Sequence, residues 1–195
     1  VIVDRFGDTL VIQPNAAWAD TLLDALVSAL KSVTGATTIV MNGSGRARTL
    51  EGLDEKLEVL DGAVDGVIPV SMNGATYMAD LMGGQKTGLF FDQRDNHAFA
   101  QSLVKGKRVL DVFSHVGGFG LASLAAGAAS ATCVDSSAAA LDLAEQGAAA
   151  MGVSDKFRTR KGDAFDTMAA LLAEGEKFDV VICDPPAFAP SKPAL

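Results

Sequence analysis

Asp111-Val-Phe-Ser-His-Val-Gly-Gly-Phe-Gly120 is the stretch on which the fold of this chain turns. It leaves a β-rich apolar run at Asp111 and enters a glycine-rich turn, Gly117-Gly118-Phe119-Gly120, that opens a helix-like segment. Glycine in such a turn lets the backbone approach a ligand, and the start of a helix offers N–H groups to a carboxylate. The dinucleotide fingerprint GxGxxG is not met, because Ser123 stands at the third glycine position.

Three further stretches follow in fixed order: Val134-Asp-Ser-Ser137, Gly162-Asp-Ala-Phe165 and Asp184-Pro-Pro-Ala-Phe188. Each follows its own apolar β-run. Asp135 can accept hydrogen bonds from both hydroxyls of a ribose, or serve with Ser136 or Ser137 as a helix cap. Asp163 can accept from the exocyclic amine of adenine, or cap the helix after it. Pro185 and Pro186 fix a rigid, extended exit and leave carbonyls free to face a cleft. Carboxylates at the carboxyl ends of successive parallel strands describe the crevice where open α/β sheets bind ligands. Their order and identity point to S-adenosylmethionine.

Around these sites, strands at 108–113, 130–134, 157–161 and 178–183 alternate with helices at 93–104, 118–126, 137–151 and 163–174. That alternation predicts a Rossmann-like, doubly wound parallel sheet. It is truncated after its fourth strand, which would be an unprotected edge for further chain or a homodimer partner to cover. A small α+β domain precedes it. Residues 1–13 read as a hairpin around Phe6-Gly7-Asp8, and Asn73-Gly74 as the turn of a second hairpin. Between them, Asn15 is a candidate N-cap for a helix whose Trp18, Leu22, Ala25/Leu26, Ala29 and Val33 recur at helical spacing, and Gly35 ends it. Thr37–Met41 reads as a strand and 42–46 as a loop. The domains divide as 1–82 and 83–195.

With 195 residues, 49% of them hydrophobic, the chain can bury a core. No apolar run approaches the roughly 18–20 residues that span a bilayer, and no leader is evident, so a cytoplasmic protein is expected. The first residue is Val1, which suggests a piece of a longer protein. Cys133 and Cys183 form no CxxC pair and read as reduced core thiols, with no metal site. The net charge of −8 argues against a general nucleic-acid coat. Local basic groups could still steer RNA: Arg46/Arg48, Lys86/Arg94, Lys105/Lys107/Arg108 and Arg158/Arg160/Lys161.

Residues 86–188 resemble the methyltransferase domain of the ribosomal large-subunit RNA (cytosine-5)-methyltransferase I family. Lys86-Thr-Gly-Leu-Phe-Phe-Asp-Gln-Arg-Asp-Asn96 resembles the segment preceding that domain, and the four stretches above resemble its motifs I to IV. The opening Val1-Ile-Val-Asp-Arg-Phe-Gly-Asp8 resembles the start of the family's central α+β domain. The resemblance implies a class I S-adenosylmethionine-dependent enzyme. Asp111, Phe113, Gly117, Gly118 and Phe119 would hold the methionine end. Asp135 and Ser136 would bind the ribose, and Asp163 with Ala164 the adenine edge. Asp184 and Pro185 would border the sulfonium, while Gln93, Arg94, Pro186 and Phe188 would line the substrate side. His97 departs from the family, which often has Arg there.

The activity implied is methylation of a ribosomal RNA base, foremost carbon-5 of cytosine. There a thiolate adds to carbon-6 and the target base leaves its stack. No catalytic residue is assigned within the chain, since Cys183 is read as part of a buried strand and the nucleophilic cysteine is expected beyond Leu195. Guanine-N7 methylation stays open. Amino-group methylation is disfavoured by Ala187, which stands where those enzymes favour an aromatic residue. Cofactor binding without turnover is the non-enzyme alternative.

Overall fold

A computed structural model of the chain describes residues 1–83 and 89–186, with residues 46 and 47 described by backbone alone. The expected sites Ala187 and Phe188, and Lys86 of the expected basic groups, lie outside the described residues, as does the side chain of Arg46. Two compact units emerge, Val1–Val70 with Ala79–Phe91, and Ser71–Met78 with Asp92 onward. This partition differs from the boundary expected after residue 82.

In the first unit, β1 (Ile2–Phe6) and β2 (Thr9–Gln13) form a hairpin whose register pairs Phe6 with Thr9. The turn between them uses Gly7 at φ +60°. β2 runs parallel to β3 (Thr38–Asn42) after a crossover through α1 (Ala17–Thr21) and α2 (Leu23–Thr34). β3 then pairs antiparallel with β4 (Leu57–Asp61), beyond α3 (Arg46–Leu50). Leu10, Ile12, Ala36 and Ile39 form a core against which Leu26, Val27 and Leu30 of α2 pack.

Two expectations for this helical region are corrected. The cap before α1 is Ala16, with no side-chain cap, rather than Asn15. Of the expected stripe, Ala25 and Ala29 are exposed, as are Trp18, Leu22 and Val33, by 59%, 54% and 84%, while Leu26 packs on the core. α2 also offers Val27 and Leu30, and tertiary packing covers these together with Leu26 of the expected stripe. Periodicity finds apolar positions without saying which of them are covered. Gly35 does end the helix, at φ +69°.

α3 owes its place to Arg48, whose side chain is 3% exposed. Its guanidinium donates to both carboxylate oxygens of Asp20 at 2.7 and 2.9 Å, and to the Pro14 and Asp54 carbonyls at 2.8 and 3.2 Å. The basic group anticipated at Arg48 is thus an internal clamp, because a buried guanidinium must fill its donors.

β5 (Ile68–Met72) and β6 (Ala75–Ala79) form the second hairpin, turning at Asn73 and Gly74 with φ +52° and +76°. Its tip groups with the second unit for specific reasons. Gln101 donates to the Asn73 carbonyl at 2.8 Å, Asn73 donates to the Arg94 carbonyl at 2.7 Å, and Tyr77 donates to the Gly118 carbonyl at 3.0 Å.

The second unit holds a four-stranded, all-parallel sheet of β7 (Arg108–Val112), β8 (Ser130–Asp135), β9 (Phe157–Lys161) and β10 (Val180–Cys183), in the order β10-β7-β8-β9. α4 (Arg94–Gln101) precedes β7; α5 (Gly118–Ala125), α6 (Ala138–Ala150) and α7 (Ala164–Ala173) follow the strands in turn. Leu110, Val112, Val134, Ala164 and Leu171 make one core cluster, with Phe113, Met168 and Phe178 against it. The expected Rossmann-like α/β arrangement is present.

Cys133 is buried as expected, whereas Cys183 is exposed. Among the described residues β10 pairs with β7 alone, so its outer edge and Val181 are uncovered. Among the described residues no helix is long and apolar enough to cross a membrane.

Candidate ligand site at the strand ends

Strand register sets the site. Cys183 lies opposite Val112, Val112 opposite Val134, and Asp135 opposite Lys161. The next backbone level continues that alignment: Asp184 N donates to the Val112 carbonyl at 3.4 Å, Ser114 N to Val134 at 3.0 Å, and Gly162 N to Asp135 at 3.0 Å. Asp184, the turn after β7, Asp135 and Gly162-Asp163 therefore form one row at the carboxyl ends of adjacent strands. Three interstrand spacings make that row about 14 Å long.

The turn after β7 is unusual in its backbone. Phe113 and His115 adopt φ +64° and +50°, and Gly117 follows at +79°. Positive φ in residues other than glycine costs on the order of 1–2 kcal/mol each, and persists only where surroundings enforce it. Asp135 supplies one such constraint. Its Oδ2 accepts from His115 N at 2.8 Å and its Oδ1 from Ser137 N at 2.9 Å. An ionised carboxylate offers about four lone-pair positions, so two remain for hydroxyl donors. The cap of α6 is Ser137, whose hydroxyl accepts from Ala140 N at 3.2 Å, while Ser136 stands exposed beside it.

The glycines are demanded by the side chains packed beneath the turn. A Cβ at Gly120 would lie 2.4 Å from Cys133 Sγ, and one at Gly118 would lie 3.1 Å from His97 Nε2. Phe119 packs edge-on against the His97 ring, with centroids 4.5 Å apart. The His97 ring also stacks on Tyr77 at 6.2 Å.

Asp111 belongs to this lower layer. It is 1% exposed, and its Oδ2 accepts from Gly120 N at 2.8 Å. Burial pushes its carboxyl up to about 7, against the lowering influence of the Gly120 and Phe119 N–H groups. It braces the glycine turn from below instead of standing open in the row. Burial likewise holds His97 down at about 4, although the charge of Asp184 pulls the other way.

At the far end of the row, Asp163 caps α7. Its Oδ1 accepts from Phe165 N at 2.9 Å and Asp166 N at 3.2 Å. Ala164 is buried behind it as the first residue of α7. Phe165 sits edge-on to Phe113, with centroids 6.5 Å apart. The two rings link the turn after β7 to the start of α7. At the near end, Gln93 Nε2 donates to Asp184 Oδ2 at 3.0 Å, and Asn96 Nδ2 donates to Gln93 Oε1 at 2.6 Å. Arg94 is exposed at the start of α4, and Pro185 and Pro186 are exposed beyond Asp184.

Sequence reasoning passed over Phe165, Tyr77 and Asn96 as site residues. Phe165 was visible as an aromatic two residues past a strand-end Asp. Asn96 was visible as a polar residue three past Gln93, on the same helix face. Tyr77 gave no local signal, since its partner is 41 residues away.

This arrangement can be set beside known proteins. Residues 90–192, more than half of the chain, match the family described as Conserved hypothetical protein 95. The chain belongs to that family. The Conserved hypothetical protein 95 match spans Asp111 and the whole row of strand ends from the turn after β7 to Asp184. Over its whole length the chain is also 37% identical to a Ribosomal RNA large subunit methyltransferase I of Tolumonas auensis, covering 50% of that protein. It thus spans about half the length of the curated relatives it matches. Among solved structures, a Streptococcus mutans protein described as a SAM-dependent methyltransferase superposes with a TM-score of 0.79 at 23% identity. That match covers 95% of this chain and 48% of the other. Another, described as a methyltransferase complexed with SAH, gives 0.80 at 22% identity, covering 96% and 48%. Both share the fold of this Conserved hypothetical protein 95 member.

Proposed function

We propose that this chain forms the cofactor-binding part of a S-adenosylmethionine-dependent methyltransferase acting on a base of large-subunit ribosomal RNA, with carbon-5 of cytosine as the target. One observation carries the reading: the turn after β7, Asp135, Asp163 and Asp184 lie side by side along one edge of a parallel sheet. Relatives named Ribosomal RNA large subunit methyltransferase I supply the substrate class. The cofactor class follows the structural neighbour complexed with SAH. Such an enzyme would work in the cytoplasm, and a homodimer covering β10 is a partner arrangement consistent with that strand's uncovered edge.

The donor set fits the ligand. Asp135 keeps lone pairs for the two ribose hydroxyls while its other positions hold the turn. Asp163 Oδ2, on the side away from its capping bonds, can receive the adenine amine. Phe113 and Phe165 offer aromatic surface to the adenine ring. Gly117, Gly118 and Phe119 keep backbone, rather than side chains, next to the methionine end. Ser136 stands at the ribose edge, and Pro185 and Pro186 continue the wall toward the RNA. The bound cofactor supplies an electrophilic methyl group. The chain's residues orient it and exclude water around it.

Calorimetric titration of this chain with S-adenosylhomocysteine tests the reading first. Asp135→Ala should weaken binding by about 1–3 kcal/mol, the cost of leaving polar partners unmade. Tritiated-methyl transfer to unmodified ribosomal RNA by the full-length protein, followed by nucleoside analysis, identifies the target atom. No binding of S-adenosylhomocysteine to the wild-type protein would overturn the cofactor assignment.

A further inference from the structure

Gln93 was expected to touch substrate, yet its side chain is already committed. Its amide nitrogen donates to Asp184 Oδ2 at 3.0 Å and its carbonyl accepts from Asn96 at 2.6 Å. The direction of this chain of bonds is fixed by chemistry. An ionised carboxylate only accepts, so the Gln93 NH₂ must face Asp184, its oxygen must face Asn96, and Asn96 must present its own NH₂. Gln93 and Asn96 lie three residues apart at the start of α4, which places them on one helix face.

The platform under them is anchored on two sides. Gln101, at the other end of α4, donates to the Asn73 carbonyl at 2.8 Å and to the Ala122 carbonyl at 2.9 Å. Asn73 donates to the Arg94 carbonyl at 2.7 Å. Asp184 itself follows β10 and precedes two prolines, so its backbone is held while its carboxylate would otherwise rotate. Only one of its oxygens has a recorded partner among the described residues.

We infer that Gln93, oriented by Asn96, is a positioning residue: it holds Oδ2 of Asp184 and so aims Oδ1 at the nucleobase that enters the site. This rests on the methyltransferase reading above and assigns the Gln93 position a role distinct from direct base contact. A carboxylate oxygen held in one direction can accept from an exocyclic amine of the base, and selects a base that offers a donor there. Displacements of about 1 Å in such a group can reduce a rate by up to about a hundredfold.

Two measurements on the full-length protein test it. In nuclear magnetic resonance spectra, the Gln93 side-chain amide signals should move between the wild-type protein and Asp184→Asn. A Gln93 signal indifferent to Asp184 overturns the inference. In single-turnover transfer to ribosomal RNA, Gln93→Leu should lower the rate between about tenfold and a hundredfold, with S-adenosylhomocysteine affinity kept within about twofold. Asn96→Ala should lower it in the same direction by less. In an Asp184→Asn background, Gln93→Leu should cost less than about twofold, because no carboxylate remains to be aimed. Fully multiplicative effects of the two substitutions, or a Gln93→Leu variant that raises only the KM for RNA, overturn the positioning role while the methyltransferase reading stands. A wild-type protein that transfers no methyl group to RNA overturns that reading, and this role with it.

Discussion

The Tyr77 hydroxyl donates to the Gly118 carbonyl at 3.0 Å, tying the tip of the β5–β6 hairpin to the glycine turn of the candidate site. Tyr77 is fully buried, and burial pushes its hydroxyl far above its ordinary range, so it remains a donor across working pH. Tyr77→Phe leaves the Gly118 carbonyl without this donor. The expected cost is about 1–3 kcal/mol of unfolding free energy, together with weaker S-adenosylhomocysteine binding. Denaturant melts and calorimetry would read both, and unchanged values in both would refute the coupling.

Gly120 cannot carry a side chain while Cys133 keeps its sulfur, since the added Cβ would meet Sγ at 2.4 Å. Gly120→Ala is expected to destabilise by about 1–3 kcal/mol, as overpacking of a filled core does. Cys133→Ala removes the obstructing atom. The double variant should therefore be more stable than the sum of the two single effects, by denaturant midpoint. Additive losses would mean that the turn itself, and not the sulfur, rejects the methyl group.

Asp111 and His97, both buried beside the glycine turn, oppose each other in pH dependence. Burial raises Asp111 from 3.8 to about 7, so the folded state holds a proton that the unfolded chain has released. Its contribution is full below about pH 4 and is lost as pH rises through 7. Burial lowers His97 from 6.5 to about 4, so its contribution is full above about pH 6.5 and is lost as pH falls through 4. The slopes of these two groups nearly cancel between pH 4 and 6.5. Relative to wild type, Asp111→Asn should gain a melting temperature that climbs with pH across that window. His97→Phe should gain one that declines. Identical pH profiles for both variants and the wild type would refute the opposition.

Arg48 clamps α3 to Asp20 and to two backbone carbonyls from a position closed to solvent. Arg48→Met is expected to destabilise the first unit by about 3–5 kcal/mol, because the Pro14 carbonyl and the Asp20 carboxylate lose buried partners. Lys31, half-exposed and paired with Asp61 at 2.6 Å, is the control. Lys31→Met should cost under about 1 kcal/mol. Equal losses at both positions in chemical denaturation would count against the role of burial.

The parallel sheet was legible because β7, β8 and β10 are short, largely apolar runs, and all four strands have a strand-end Asp or a glycine turn at or near their ends. The observed strands fall within about two residues of those expected. Asp135 and Asp163 could each be read as ligand acceptor or helix cap, and the structure shows turn-holding bonds at Asp135 and capping bonds at Asp163. Local pattern could not rank Asp111 against them. Register buries Asp111, which lies inside the sheet opposite Ile182, while Asp184 comes two residues beyond that level, just past the end of its own strand, and stays exposed.

What the sequence determined on its own is whatever depends on near neighbours: strand and helix placement in the second unit, the Gly35 helix end, the Asn73-Gly74 turn, and the order of the strand-end carboxylates. Tertiary structure alone decided which apolar residues of α2 are covered, that Arg48 is internal, that Cys183 is exposed, and that Gln93 reaches Asp184 across 91 residues. The physical reason is range. Turn and helix signals act through backbone torsions over a few residues, whereas burial and side-chain pairing depend on which distant segments the sheet brings alongside.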